Sequence, residues 1–304
     1  MVDLPAAPPV RDTQVYKVVD GHALEADVMG ASAGAHKPCV VWIHGGGLIF
    51  GWRKTSPRPA FLRALLEHDF VVISIDHRLA PETKLPGIVD DLRDAWRWVH
   101  EVGPARFGID PARVVLAGAS AGAYLSLLGG HLLAPPPRAL ASFWGYGDIT
   151  APWEAEPSAD YRQMELVTRD EALASLSAPP VQDPKLGVDP SCFYLYCRQQ
   201  GVWLAEVTAH DPVVDAAWFD RYCPIRMIDT RFPPTVLVHG EEDKDVPHEE
   251  STRLAARLAD LAVRHRFISM PGVGHGFAGA QPGEPEATEL AVLEFLREQL
   301  TARR

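Results

Sequence analysis

Short β-branched runs and longer stretches of helical spacing alternate through the first half of the chain. Thr13 to Val19 and His22 to Val28 read as two strands joined at Asp20-Gly21, a two-residue turn signal, and predict a hairpin. Continuous apolar runs at Cys39 to Ile43 and Phe70 to Ile75 predict strands buried on both faces. Further strands are predicted at 113–117, 139–143, 235–239 and 266–270. Helices are predicted at Pro59 to His68 and at Pro86 to Glu101, where Ile88, Leu92, Ala95, Trp96 and Val99 share one stripe. Tyr124 to Leu128 opens another, and Glu286 to Leu300 is amphipathic through Ala291, Leu293, Leu296 and Leu300. Strand-helix alternation of this kind implies an α/β fold with a mostly parallel central sheet and helices on both faces.

The rhythm stops from 145 to 232, a stretch rich in Pro, Trp, Tyr and acidic residues, with helix-like pieces at Arg169 to Ser177 and Phe193 to Glu206. Structureless connections longer than about 12 to 15 residues are uncommon in compact domains, so this segment is expected to be a helical cap. The expected division is a catalytic domain of 1–144 with 233–304, and an inserted cap of 145–232.

The strongest chemical signal is Gly118-Ala119-Ser120-Ala121-Gly122, between the strand at 113–117 and a helix. A sharp strand-to-helix turn pushes a serine hydroxyl out of the sheet, and small residues two before and two after let the chain cross itself. Upstream, His44-Gly45-Gly46-Gly47 follows the strand at 39–43, as a loop of backbone donors for an oxyanion would. Later strands run into Gly240-Glu241-Glu242-Asp243-Lys244-Asp245-Val246-Pro247 and into Gly274-His275-Gly276-Phe277. A serine hydroxyl is weakly nucleophilic at neutral pH, so an imidazole must take its proton, and a buried carboxylate must hold the imidazole.

With Asp76-His77-Arg78-Leu79-Ala80-Pro81-Glu82 added, the chain resembles the α/β-hydrolase superfamily, in the hormone-sensitive-lipase-like branch of microbial carboxylesterases (α/β-hydrolase fold-3). The resemblance implies Ser120 as nucleophile, His275 as general base and then acid, and Asp243 as the carboxylate that orients it. It also implies an oxyanion hole of the Gly46, Gly47 and Ala121 N–H groups. Asp245 is a rival acid two residues on, and spacing to Val246-Pro247 favours Asp243. The chain departs from the family in His77, where Tyr is usual, and in Ala119, where an acidic residue is common; the 76–82 block is expected to brace the active-site loops. Trp52, Trp144, Tyr146 and Trp203 are candidates for substrate contact.

The formal net charge of -11 and a pI near 5.5 exclude nucleic acid as a natural partner, since the summed field repels phosphate. No apolar stretch approaches the ~20 residues of a membrane span, and Met1 to Pro5 has no basic region leading into an apolar core, so the chain is expected to be cytoplasmic. Four cysteines are too few for a disulfide scaffold and are expected to be free thiols. No H-E-x-x-H or Cys/His cluster points to a metal, and no cofactor is expected. The expected activity is hydrolysis of small-molecule carboxylic esters of short to medium acyl chain through an acyl-enzyme, with an amidase, formamidase or lactonase as the alternative. A non-catalytic receptor on the same fold is the remote one. The helix at 286–300 offers a homodimer interface or packs on its own sheet.

Overall fold

A computed structural model describes residues 12–55, 57–176, 181–182 and 189–301. Met1 to Pro5 and Ser177, the end of one predicted helix, lie outside them. Strands β1 (Asp12–Val19), β2 (His22–Met29), β3 (Lys37–Ile43) and β4 (Val71–Ile75) join β5 (Ile109–Ala119), β6 (Leu140–Phe143), β7 (Thr235–Gly240) and β8 (His265–Met270) in one sheet. Its order is β1-β2-β4-β3-β5-β6-β7-β8. β2 pairs antiparallel with both β1 and β4, and every later pairing is parallel. Asp20 and Gly21, at φ 51 and 79, make the β1–β2 turn with both central residues left-handed, as a tight hairpin requires.

Helices α1 (Pro59–Glu67), α2 (Leu85–Phe107) and α3 (Ala121–Leu132) alternate with the strands. Between β6 and β7 lie α4 (Pro152–Ala155), α5 (Arg169–Ala174), α6 (Ser191–Gln200), α7 (Trp203–Thr208), α8 (Ala216–Phe219) and α9 (Pro224–Met227). No strand occurs between β6 and β7 among the described residues. α10 (Glu249–Asp260) and α11 (Glu284–Thr301) complete the chain.

Period-two alternation along buried strands divides the core in two. Cys39, Val41 and Ile43 of β3, Ile73 of β4 and Leu116 of β5 pack toward α2 and α3. Val40 and Trp42, Val72 and Val115 pack toward α1 and α11. α11 buries Val292, Leu293, Phe295, Leu296 and Leu300 in that second layer, so its apolar face lies on its own sheet. Among the described residues no helix is long and apolar enough to cross a membrane. All four cysteines are free.

Several boundaries differ from the sequence pattern, and three of the differences have a visible cause. α2 continues past Glu101 through Gly103 and Pro104 to Phe107, because Gly103 lets Ile109 pack closely and Gly108, at φ 70, supplies the left-handed stop. β5 begins at Ile109 rather than 113, since Ile109 pairs with Lys37 ahead of an irregularity that resumes at Cys39 and Val114. The expected helix at 193–206 is two, α6 and α7, divided at Gly201 with φ 68.

Candidate active site

Ser120 stands between β5 and α3 at φ 54 and ψ −122, a strained conformation for a residue with a side chain. Its N–H donates to Phe143 O at 2.9 Å and its carbonyl accepts from Tyr124 N at 3.0 Å, so sheet and helix hold the turn from both sides. The flanking glycines are sterically required. A Cβ on Gly118 would lie 2.4 Å from the Gly122 backbone, and one on Gly122 would lie 2.2 Å from Ile43 O. Ser120 is 9% exposed, between the half-buried Ala119 and the buried Ala121.

Gly45 passes so close to this turn that a Cβ there would stand 3.2 Å from the Ser120 Cβ. Gly46 and Gly47 follow at φ 114 and 59. Gly46 O accepts from the N–H groups of Ile49 and Phe50, both at 2.9 Å. A peptide group is planar, so fixing that carbonyl fixes the direction of the Gly47 N–H. The next plane is fixed too, because Trp203 Nε1 donates to Gly47 O at 2.7 Å. No carbonyl or side chain among the described residues takes the N–H of Gly46, Gly47 or Ala121.

His275 sits after β8 in a single 3-10 turn, His275–Phe277. Its Nδ1 and Asp243 Oδ2 are 2.7 Å apart, and the Asp243 side chain is fully buried. Asp243 Oδ1 accepts from the N–H groups of Asp245 and Val246, both at 2.9 Å, while His239 Nε2 lies 3.3 Å from Oδ2. Burial alone would raise the Asp243 pKa, but the hydrogen bonds from His239 and His275 and the His275 charge hold it well below the usual carboxylate range. Burial likewise opposes charging His275, yet its hydrogen bond to Asp243 and the charges of Asp245 and Asp243 raise its pKa above the ordinary imidazole value. Of the two candidate acids, Asp243 therefore meets Nδ1. Asp245 Oδ2 lies 3.5 Å from the other nitrogen, Nε2. No hydrogen bond joins Ser120 to His275 among the described residues; such contacts commonly tighten only when substrate is bound.

The four aromatic candidates occupy different settings. Trp144, at φ 42, stacks edge-on against His275 at 5.8 Å and Phe277 at 4.9 Å. Trp52 is half-buried under the Lys54 ammonium at 5.0 Å. Tyr146 is buried and stacked on Tyr124 at 4.9 Å. Trp203 is fully buried and serves the glycine loop through its indole N–H. Among the described residues no group of three or more His, Cys, Asp or Glu could hold a metal ion. Two clefts of about 410 Å³ each open at the opposite, N-terminal end of the sheet and touch none of these residues.

A family model described as alpha/beta hydrolase fold matches residues 40–279, which span the glycine loop, the elbow, the acid and the histidine. The chain belongs to the alpha/beta hydrolase fold family. The chain is 30% identical over 251 residues to the carboxylesterase/phospholipase LipF of Mycobacterium tuberculosis, covering 82% of this chain and 58% of LipF. It is 27% identical over 297 residues to the non-reducing polyketide synthase Preu6 of Preussia isomera, covering 87% of this chain but only 14% of that protein. Among solved structures, the carboxylesterase EstE1 from a metagenomic library superposes with a TM-score of 0.67 at 25% identity, covering 98% of this chain and 92% of EstE1. A Staphylococcus aureus protein of unknown function superposes at 0.73 with 22% identity, covering 95% and 99%. The hydrolase fold is thus esterase-like in its relatives.

Two residues next to this site escape the sequence motifs. Tyr194 of α6 packs on the glycine loop so closely that a Cβ on Gly47 would meet its ring at 2.4 Å. Arg198, one helical turn on, donates from Nη1 to Asp245 Oδ1 at 2.8 Å. The only sequence signal was their i, i+4 spacing on an aromatic-rich helix.

Proposed function

We propose that this hydrolase cleaves carboxylic esters of short to medium acyl chain through an acyl-enzyme intermediate. The observation that carries the reading is the strained Ser120 elbow beside Gly46 and Gly47, in a chain whose Asp243 and His275 are paired at 2.7 Å. Ser120 Oγ attacks the ester carbonyl while His275 Nε2 takes its proton. The oxygen that becomes negative is met by the N–H groups of Gly46, Gly47 and Ala121; a donor of this kind is worth roughly 3 to 4 kcal/mol in the transition state. The C–O bond then breaks and the alcohol departs with the proton from Nε2. Water repeats the sequence on the acyl-serine, releasing the acid and restoring Ser120. Asp243 keeps the Nδ1 proton in place and stabilises the imidazolium without taking that proton.

In this reading the 145–232 segment is a cap. Its support is that Tyr194 closes over Gly47 and Trp203 holds the Gly47 carbonyl, so the segment bounds the space available to an acyl chain. The test is hydrolysis of p-nitrophenyl esters from acetyl to dodecanoyl, with a matching anilide, by wild type and Ser120→Ala. Turnover of the shorter esters is expected to fall by about 10⁶ in the variant. Activity that survives in Ser120→Ala, or faster cleavage of the anilide, overturns the reading.

A further inference from the structure

Asp245 is a second carboxylate beside His275, and its two oxygens are used unequally. Oδ1 accepts from three donors: Tyr161 Oη at 2.8 Å, Tyr194 Oη at 2.7 Å and Arg198 Nη1 at 2.8 Å. Arg198 Nη1 also donates to the Asp245 carbonyl at 3.1 Å, so both the backbone and the side chain of this residue are held by α6. The other oxygen, Oδ2, has none of these donors and lies 3.5 Å from His275 Nε2. A cleft of about 330 Å³ has Asp245 in its wall with Trp153, Glu156, Asp160, Arg198 and Lys244; neither His275 nor Ser120 lines it, so it borders Asp245 without containing the Nε2 atom.

Nε2 is the atom that, in the reading above, delivers a proton to the departing oxygen. A general acid must stand within hydrogen-bond reach of the atom it protonates. The departing oxygen and Asp245 Oδ2 are then both neighbours of one nitrogen, and substituents a few bonds from that oxygen fall within reach of Oδ2. An unsubstituted hydrocarbon there would cover a carboxylate oxygen without replacing the hydrogen bonds of water, which is costly for an ionised acceptor. A leaving group carrying an N–H or O–H donor restores the bond, and an ammonium adds charge attraction.

Resting on the esterase reading, we infer that Asp245 determines specificity by accepting a hydrogen bond from the leaving group, so that the substrates are esters whose alcohol portion bears an ammonium or hydroxyl donor. Arg198, Tyr161 and Tyr194 act as positioning residues. They saturate Oδ1 and turn Oδ2 toward the substrate.

The test compares three meta-substituted phenyl acetates, 3-(aminomethyl)phenyl, 3-methylphenyl and 3-(carboxymethyl)phenyl acetate, with wild type and Asp245→Asn. In wild type the ammonium ester is expected to exceed the methyl ester at least ~10-fold in kcat/KM, with the carboxylate ester slower still. In Asp245→Asn these ratios are expected to fall toward unity, whatever the absolute rate. Wild-type ratios near unity, or an equal loss for all three esters in the variant, overturn the inference and leave Asp245 a brace between loop and helix. Binding of the released phenols, 3-(aminomethyl)phenol against 3-methylphenol, is measured by calorimetry on the same proteins and needs no turnover. Should no ester be hydrolysed, the esterase reading fails, while a ~10-fold preference for the aminomethyl phenol that is lost in Asp245→Asn still upholds the subsite. Equal binding of the two phenols removes it.

Discussion

Around Ser120 the site is made by backbone, whereas in the 145–232 segment opposite it is made by side chains. The scaffold side uses special backbone conformation: Ser120 is strained at φ 54, while φ 114 and 59 at Gly46 and Gly47 are open to glycine without strain. The inserted side spends burial. Arg198, Glu154 and Tyr146 are each at most 3% exposed, and Arg198 Nε, Glu154 Oε2, Tyr146 Oη and Trp153 Nε1 are buried without hydrogen-bond partners among the described residues. Burial pushes the Glu154 carboxyl up to about 8, against the attraction of Arg198. Strain of this kind fixes atoms to fractions of an ångström and admits few residue types. A buried polar network, by contrast, can be retuned by one substitution.

The comparison breaks most visibly at the pair that the scaffold loops bring together. Asp243→Asn is expected to lower kcat about 10⁴-fold with the fold intact, measured by steady-state kinetics and circular dichroism. It also reports on pH. In the proposed mechanism His275 acts as base only when neutral, and its folded pKa is raised, so wild-type activity is expected to be lost as pH falls through a value above the ordinary imidazole pKa. Removing Asp243 takes away the first of the effects that raise it, so the acid limb in Asp243→Asn moves to lower pH. An unmoved limb would assign it to another group.

On the inserted side, Arg198→Met strips Asp245 and Glu154 of their shared cation. Breaking a buried ion pair by removing one partner costs about 3 kcal/mol, read as a lower urea midpoint. A loss under ~1 kcal/mol would show that the network adds little stability. The smallest effect belongs to the scaffold again. His44 and His77 are buried and stacked at 4.3 Å, and burial lowers their pKa values to about 4 and about 3, His77 also feeling the charge of His44. Both folded values lie below the unfolded ~6.5, so the unfolded chain binds protons first as pH falls. Stability is therefore full above about 6.5 and declines toward pH 4 and 3, with a slope of up to ~1.4 kcal/mol per pH unit for each histidine. His77→Phe is expected to remove one such contribution between pH 6 and 4, and an unchanged slope would place the dependence elsewhere.

The same contrast explains how much could be read beforehand. Gly118, Gly122, Gly46 and Gly47 announce themselves because no other residue fits where a Cβ meets backbone within about 2.0 to 2.4 Å or a ring at 2.4 Å. The strands are legible because alternate residues enter two cores and both sets must be apolar. Asp243 is preferred to Asp245 in the sequence only through the spacing to Val246-Pro247 that the family resemblance implies, and in the structure it is Asp243 that lies 2.7 Å from His275 Nδ1. The partnership of Asp245 with Tyr161, Tyr194 and Arg198 was not legible, because it joins residues 47 to 84 positions apart through side chains that any helix could carry. Asp76 shows the intermediate case. Its block read as a brace, but the partner, Arg53 at 2.7 Å beside Asp27, emerged only from the fold.

The indole of Trp203 and the carbonyl of Gly47 are 156 residues apart in the chain. During synthesis the elbow and the glycine loop leave the ribosome long before the residue that clamps the loop. An unfinished chain, or one nicked ahead of Trp203, thus carries its serine beside a peptide plane that is still free to turn. The Gly46 carbonyl already sets the Gly47 N–H, but the Gly47–Leu48 plane waits for the second half of the polypeptide, so completion of this loop is an event of late folding.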